Sequence, residues 1–295
     1  MVRILLEIFL AQWLVFYMRH HGFRYTITMK AIVLGSGTSH GIPVIGCDCP
    51  VCSSDDPRDR RMRSSLYIEG PGGESLVIDT GPEFRLQAIR AEIKKLDALF
   101  LTHSHADHLH GLDDVRPLCR NKPLPVYGNS PTIMEMKERF SYVFDPGTQQ
   151  GGGKPRLVPT ITGEPVKLGS LCISPIPVMH GSLNILSWYI TEASAGFSGG
   201  LLYMTDTSSI AKTRLPQPEI LIIGGLRVRP HSTHFNFDQA LTIALELGCR
   251  QVLMTHICHE HFHREIEDYC RDFAQTHGIR DLTMGPAWDS QELRI

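Results

Sequence analysis

The sequence lacks a marked excess of either charge and has few cysteines for its length. Its 29 Lys and Arg residues nearly balance its 31 Asp and Glu residues, so the 295-residue chain carries a formal net charge of −2. This balance provides no overall attraction to nucleic acid or to anionic lipid, and no stable nucleic-acid partner is expected. Eight cysteines are too sparse for a disulfide scaffold. We therefore expect a reducing, cytoplasmic environment.

Long apolar runs are also scarce. The most apolar stretch, from Leu5 to Met18, is interrupted by Glu7 and Gln12, and it is shorter than the roughly 20 residues that span a bilayer. No membrane association is expected. Because no clear small-residue cleavage site follows, a signal peptide is disfavoured, and we interpret residues 1–28 as an N-terminal extension outside the core.

No linker or internal repeat divides the rest of the sequence. We expect residues 29–295 to form one domain, because a chain of this length with 42% hydrophobic residues can bury one large core. The oligomeric state is left open, and a homodimer is one alternative.

Short apolar runs bounded by turn residues recur along this domain and predict strands. They cover 31–34, 65–68, 76–78, 98–102, 125–127, 171–177, 188–191, 201–205, 220–223 and 251–255. Helical periodicity appears at 84–96, 132–144, 238–247 and 264–277. The pattern predicts an α/β fold, a four-layer αββα sandwich in which two sheets pack face to face with helices outside. Residues 144–159, rich in Gly and Pro, are interpreted as a flexible insertion beside the cleft.

A dense set of metal-binding residue types follows the apolar run that begins at Ala98. The segment HSHADH supplies His103, His105, Asp107 and His108 within six residues. Alternate residues at a strand end can aim two imidazoles at one ion, and imidazole with carboxylate suits zinc, manganese or iron. A solvated polar loop is the alternative, and the residues downstream disfavour it. The segment therefore predicts a metal site.

Three further candidates each end an apolar run: His180, Asp206 and His256. Together with HSHADH they resemble the metallo-β-lactamase superfamily over residues 30–290. The resemblance implies two divalent catalytic ions, manganese or zinc. By the family pattern one ion is held by His103, His105 and His180, the other by Asp107, His108 and His256, with Asp206 bridging.

The resemblance also implies hydrolysis without a protein nucleophile. A metal-bridging hydroxide forms near neutral pH because two ions acidify a shared water, and the ions polarise the bond under attack. We expect a small phosphodiester substrate, a cyclic phosphate or a nucleotide-like diester. Thioester or lactone hydrolysis is the second alternative, and tRNA 3′ processing is disfavoured because no extended basic arm is visible. A nonenzymatic metal-binding module fits poorly with a complete ligand set.

A second motif, GSGTSHGIPVIGCDCPVC over residues 35–52, is more discriminating. It resembles the branch of the superfamily that includes the phosphoribosyl cyclic phosphate phosphodiesterase of phosphonate metabolism. In that branch three cysteines and a distant histidine bind a structural zinc, which here implies Cys47, Cys49, Cys52 and His259. Cys258 competes with His259 as the fourth ligand. A closed tetrahedral shell of this kind is structural.

Two sets of polar residues are assigned to the substrate side. In the same branch a histidine of the HxxH segment lies outside the metal shell and donates a proton or holds the phosphate, and His234 matches it better than His231. A donor matters because the leaving oxygen must be protonated or metal-bound as it departs. The arginines at 58, 60, 61 and 63 predict either a solvated face or a phosphate clamp. Arg116 and Arg227 are comparable clamp candidates, so the substrate-binding residues stay unassigned.

Overall fold

The computed structural model describes residues 29–145, 147, 153–193, 199–210 and 215–295. Two seven-stranded sheets form the centre, each flanked on its outer face by helices. The expected four-layer αββα sandwich is confirmed. The extension assigned to residues 1–28 lies outside the described residues. Within the described ranges, no helix is long and apolar enough to cross a membrane.

The first sheet has the strand order β14-β1-β2-β3-β4-β5-β6. Strands β14 to β3 pair antiparallel, whereas β3 to β6 pair parallel. The bounds are β1 Lys30–Gly35, β2 Ser65–Glu69, β3 Ser75–Ile78, β4 Ala98–Phe100, β5 Leu124–Gly128, β6 Leu157–Ile161 and β14 Glu292–Arg294.

The second sheet has the strand order β13-β12-β11-β10-β9-β8-β7, with β10 to β13 parallel and β7 to β10 antiparallel. The bounds are β7 Val166–Leu168, β8 Leu171–His180, β9 Leu183–Glu192, β10 Leu201–Met204, β11 Ile220–Gly224, β12 Gln251–Thr255 and β13 Thr283–Pro286. Each sheet is therefore half antiparallel and half parallel.

Both faces of the central strands are buried, which explains their continuous apolar sequence. In β1 the side chains of Ala31 and Val33 pack between the sheets, while Ile32 and Leu34 pack under the outer helices. In β11 Ile220 packs between the sheets and its neighbours alternate in the same way. Successive strand residues point to opposite faces, so each strand contributes to two hydrophobic layers.

In the described part of the chain, six α-helices lie on the outer faces or follow the strand ends. They are α1 Phe84–Arg90, α2 Ala106–Leu109, α3 Ser130–Arg139, α4 Ser141–Phe144, α5 Phe237–Leu247 and α6 His263–Thr276. Two 3-10 helices cover Pro57–Asp59 and Leu112–Cys119. Helix α5 has a full capping box, in which the Asn236 side chain accepts from Gln239 N and the Gln239 side chain accepts from Asn236 N, and it ends at Gly248 in the left-handed region.

Three sequence-based expectations need correction. The helix expected over 84–96 ends at Arg90, because the chain turns at Glu92, which has a positive φ of 53°. The helix expected over 132–144 is two helices that meet at Phe140. The insertion expected over 144–159 is in part a strand, since residues from 157 onward pair with β5 as an edge strand. Residues 146 and 148–152 of that insertion lie outside the described residues.

Candidate metal centre

The candidate ligands converge on one edge of the sandwich. The HSHADH segment follows β4, His180 ends β8, Asp206 follows β10 and His256 ends the β12 run. The carboxyl ends of these strands lie at the same edge of the sandwich. The two sheets are joined beside this point, because Trp188 Nε1 donates to the carbonyl of Leu101 at 3.3 Å. Residues that are more than 150 positions apart in sequence are thus brought together by the topology.

The structure groups the candidates into two sets whose ligand atoms lie within 4.8 Å of one another. One set is His103, His105 and His180, and the other is Asp107, His108, Asp206 and His256. Asp206 also lies within 4.8 Å of His180 and His234. Because Asp206 reaches a member of each set, its carboxylate lies where a bridging ligand would be required.

Several ring nitrogens in these sets lack a hydrogen-bond partner among the described residues. They are His103 Nε2, His108 Nε2 and both nitrogens of His256, all buried. Buried polar atoms are almost always paired. His108 Nε2 and His256 Nε2 lie 3.1–3.5 Å from carboxylate oxygens of Asp107 and Asp206, and unpaired imidazole nitrogens beside carboxylates are the donors that a divalent ion satisfies. The residues therefore fit the divalent ions that the fold implies.

Asp79 was missed by sequence reasoning and orients this site. It is fully buried directly after β3, and its carboxylate accepts from Thr102 N at 2.8 Å and from Thr102 Oγ1 at 2.7 Å. His108 Nδ1 lies 2.7 Å from the same carboxylate. With Nδ1 donating to Asp79, the lone pair of Nε2 points toward Asp107 and Asp206. The sequence feature that could have identified Asp79 is its position directly after the apolar run from Ser75 to Ile78.

The electrostatics favour the metal-binding protonation states of Asp206 and His103, whereas Asp107, Asp206 and Asp79 overcome burial and raise the pKa of His108 well above its usual value. Burial would raise the pKa of Asp206, but His256 and His108 beside it lower that pKa well below its usual value. Burial lowers the pKa of His103 well below its usual value, assisted by His108. Asp206 is therefore ionised and His103 neutral at pH 7, which are the forms that bind a metal.

Three residues at the site have left-handed backbone conformations. The φ angles are 63° at Asp79, 52° at Asp206 and 55° at His256. Side chains with a Cβ rarely adopt this region, and such residues cluster at functional sites because the surrounding structure must hold them there. These three backbone conformations therefore occur at three strand ends, at the two candidate ligands Asp206 and His256 and at Asp79, which contacts His108.

The CxCxxC segment and His259 form a separate cluster. The Sγ atoms of Cys47, Cys49 and Cys52 each lie 3.4 Å from His259 Nδ1. Partial burial would raise the pKa of Cys49, but the Cys52 amide and His259 lower it to about 6. Cys258 lies outside this cluster. The geometry thus groups His259, and not Cys258, with the three thiols.

His234 lies beside the metal ligands. Its Nε2 is 3.1 Å from Asp206 Oδ1, and its ring stacks on that of His256 at 4.9 Å between centroids. Thr233 Oγ1 lies 2.8 Å from its Nδ1. Burial lowers the pKa of His234, and its contact with Asp206 only partly offsets this. His231 is exposed, with its Nδ1 3.2 Å from His234 Nδ1.

Three of the four arginines in the run pair with other groups of the structure, and Arg60 is exposed. Arg58 pairs with Asp56 and Glu267, and Arg63 pairs with Glu83. Arg61 is fully buried, and donates to the carbonyls of Cys258 at 2.8 Å and His261 at 3.2 Å.

Arg116 and Arg227 are the other two candidates for a phosphate clamp. Arg227 pairs with Glu260 at 3.0 Å, next to the thiol cluster, and its buried Nε has no hydrogen-bond partner among the described residues. Arg116 lies on the 3-10 helix that covers Leu112–Cys119 and donates to the carbonyl of Gly153 at 2.9 Å. The structure therefore gives these two candidates different surroundings.

Comparison with known proteins gives a consistent result. A model of the β-lactamase superfamily domain matches residues 74–257. A crystal structure described as a diphosphatase from the PhnP family superposes with a TM-score of 0.75 and 35% sequence identity, covering 90% of this chain and 98% of that one.

Two curated relatives are longer than the matched region. An octanoyltransferase of Porphyromonas gingivalis is 37% identical over 235 residues, which is 78% of this chain and 46% of that protein. Ribonuclease Z of Salinibacter ruber is 27% identical over 194 residues, 64% of this chain and 48% of that protein. The chain spans about half the length of each.

Proposed function

This chain belongs to the metallo-β-lactamase superfamily and, within it, to the PhnP-like branch of metal-dependent hydrolases, and on that premise we propose that it is a two-metal phosphodiesterase acting on a small cyclic phosphate or nucleotide-like diester. The observation that carries the proposal is the position of Asp206, which lies within 4.8 Å of candidate ligands from both sets. The diphosphatase named above, which the chain covers almost completely, supports hydrolysis at phosphorus.

Two divalent ions, zinc or manganese, would be held by His103, His105 and His180 on one side and by Asp107, His108 and His256 on the other, with Asp206 shared. When bound, such a pair acidifies water and stabilises the charge that develops on a phosphoryl group. The protein's own part is to hold seven side chains in place, and Asp79 fixes the ring of His108 for that purpose.

His234 is proposed as the group that gives a proton to the leaving oxygen. Its Nε2 lies 3.1 Å from Asp206 Oδ1, so the ring is at the edge of the centre where a diester's leaving group would depart. Thr233 Oγ1 and His231 Nδ1 contact the other ring nitrogen of His234, Nδ1. A histidine so placed can move one proton while the metal ligands keep their positions.

The Cys47, Cys49, Cys52 and His259 cluster is proposed as a structural zinc site. His259 is three residues beyond His256, so a metal there would tie the N-terminal loop to the loop that carries a catalytic ligand. Elemental analysis of purified protein should find about three metals per chain, one of them zinc that resists mild chelation. Zinc-free protein of full stability would contradict this site.

A substrate panel at defined zinc or manganese content tests the proposed activity. We expect turnover of nitrophenyl phosphodiesters and of cyclic phosphates, with little turnover of acyl thioesters or lactones. The octanoyltransferase relative favours acyl chemistry as a second candidate function, so octanoyl thioesters belong in the panel, and a precursor tRNA provides a third arm because of the ribonuclease Z relative. Activity confined to thioesters would replace the phosphodiesterase proposal with the acyl alternative.

A further inference from the structure

A basic pocket lies away from the metal centre. It is a cavity of about 500 Å³ lined by Arg116, Cys119, Arg120, Gly153, Lys154 and Arg156. Four of the six lining residues are basic and none is acidic, although the chain as a whole has a net charge of −2. Such a concentration of positive charge in one cavity is typical of a site for anions.

The topology separates this pocket from the metal ligands. Cys119 and Arg120 precede β5 and Arg156 directly precedes β6, with Leu124 N donating to the carbonyl of Arg156 at 2.8 Å. Strands β4, β5 and β6 are parallel, so the pocket lies at their amino ends and the HSHADH segment at their carboxyl ends. The length of β5 alone places roughly 16 Å between the two edges. The pocket is therefore not part of the substrate cleft.

The guanidinium groups of Arg116 and Arg156 are held in position without being neutralised by their hydrogen-bond partners. Arg116 donates to the carbonyl of Gly153 at 2.9 Å, and Arg156 donates to the carbonyl of Arg120 at 3.1 Å. Backbone carbonyls orient the side chains but carry no net charge. The contact of Arg116 with Asp113 is long, at 3.8 Å, and both side chains are largely exposed, so it contributes little.

The arrangement also indicates which anion fits. Three arginines and a lysine line one cavity of about 500 Å³, a volume that suits a compact ligand. A guanidinium group can donate two hydrogen bonds to two oxygens of one phosphate group. The cavity has more basic side chains than a single phosphate group requires, which favours a ligand with two phosphate groups. The adjoining cavity shares Arg116, but its lining has three basic residues (Arg85, Lys94, Arg116) and three acidic residues (Glu92, Asp113, Asp114). The positive site is therefore confined to the basic pocket.

We propose that the basic pocket is a second ligand site that binds a diphosphate-type anion, either inorganic pyrophosphate or the diphosphate of a nucleotide. The site would hold its ligand by charge and by guanidinium hydrogen bonds, with no metal required. It is independent of the proposed hydrolase activity, since it uses none of the candidate metal ligands.

Calorimetric titration of the metal-loaded protein with inorganic pyrophosphate tests the site. The double variant Arg120→Gln/Arg156→Gln should lose one binding event that the wild type shows, with affinity reduced roughly tenfold or more per guanidinium. Arg271→Gln is the matched control, because Arg271 is an exposed arginine on α6 that pairs only locally with Asp268. Metal content measured before and after titration separates binding from chelation by the probe.

Diester hydrolysis should be unchanged in the double variant, because the pocket is at the far edge of the sheet. A nucleoside diphosphate titrated in parallel identifies the source of the anion: tighter binding than pyrophosphate assigns a nucleotide, and equal or weaker binding assigns the inorganic ion. An identical pyrophosphate isotherm in wild type and double variant would overturn the proposal. So would binding of a single-stranded RNA oligonucleotide at the pocket without binding of pyrophosphate.

Discussion

Asp79 decides which nitrogen of His108 faces the metal centre. Its Oδ1 accepts a hydrogen bond from Thr102 N, while its Oδ2 accepts hydrogen bonds from Thr102 Oγ1 and His108 Nδ1. An amide at this position would have to keep its oxygen toward Thr102 N and would therefore turn its NH₂ group toward His108 Nδ1. The imidazole would then carry its proton on Nε2, which is the atom needed as a ligand.

We therefore expect Asp79→Asn to weaken metal binding roughly 10- to 100-fold, the usual effect of losing such an orienting partner, while the protein still folds. Competition with a calibrated chelator measures this affinity. Asp97→Asn is the control, because Asp97 also accepts backbone and side-chain donors but lies beside Lys95 and Lys122. Equal metal affinity in Asp79→Asn and wild type would show that the tautomer of His108 is set elsewhere.

His234 has two competing roles that its geometry permits, proton donor and metal ligand. Its contact with Asp206 at 3.1 Å is compatible with both. If His234 is the donor, His234→Ala should keep the catalytic metals and slow hydrolysis of alkyl diesters by roughly 10²-fold or more. A nitrophenyl leaving group needs no proton and should hide most of the defect.

Metal analysis and rates with both leaving groups separate these roles. Loss of metal in His234→Ala would assign a ligand, and an equal slowing with both leaving groups would assign phosphate binding. His231→Ala is the companion variant, because His231 is exposed and touches the site only through Thr233 and His234. Its effect on rate should be the smaller of the two.

The loop between β12 and α6 carries candidate ligands for both proposed metal sites. His256 belongs to the catalytic set and His259 to the thiol cluster. Arg61 is the buried element that fixes this loop, since it donates to the carbonyls on either side of His259 and pairs with Asp59 at 3.2 Å. Asp59 in turn accepts from the amide of His263 at the start of α6.

Arg61→Met should therefore lower the free energy of unfolding by about 3 kcal/mol or more, because it leaves Asp59 as an unpaired buried charge. It should also speed the release of zinc to a chelator, since the loop loses its anchor. Arg58→Met is the control, as Arg58 is part of the same run but its side chain is 39% exposed. Denaturant unfolding and a zinc-release assay measure the two effects; unchanged zinc release would limit Arg61 to a role in stability.

The central elements were predictable from sequence, and the elements at the sheet edges were not. Runs such as Ile220 to Ile223 are apolar throughout because both faces are buried. Strands β6 and β7 pair at the edge and mix buried with exposed residues, so they give no comparable signal. The candidate metal ligands were predictable because each follows a buried strand in a dense or recognisable pattern. Asp79 was missed and the anchoring role of Arg61 was not predicted, because these roles depend on partners 29 and 197 positions away.

The two ends of the domain meet at Asp289. Its carboxylate accepts from Ser36 N at 2.9 Å, from Ser36 Oγ at 2.8 Å and from Met62 N at 2.8 Å. It thereby joins the segment before β14 to the turn after β1 and to the segment before β2. The side chain is only 4% exposed, and the nearest cation, Arg90, is 3.8 Å away. Burial raises the pKa of Asp289 to about 6, and the hydrogen bonds only partly oppose this.

A raised pKa makes the stability of the whole molecule depend on pH in a definite direction. The folded protein binds the Asp289 proton more tightly than the unfolded chain, so this stabilisation is complete below about pH 4 and is lost as the pH rises through about 6. Two pH units at 1.36 kcal/mol each correspond to about 3 kcal/mol. Asp289→Asn lacks the titrating group. Its missing acceptor for Met62 N adds a cost that does not change with pH.

The difference in unfolding free energy between wild type and Asp289→Asn should therefore shrink by about 2 kcal/mol of that total between about pH 4 and pH 6.5. Denaturant unfolding of both proteins at matched metal content measures it, and the subtraction cancels the histidine and thiol ligands, which titrate in both. Asp97→Asn should show almost no change over this range, because Lys122 and Lys95 overcome burial and lower the pKa of Asp97 to about 2, so its contribution is lost only as the pH falls below about 4. A wild-type curve parallel to that of Asp289→Asn across this range would mean that Asp289 titrates as an ordinary carboxyl group.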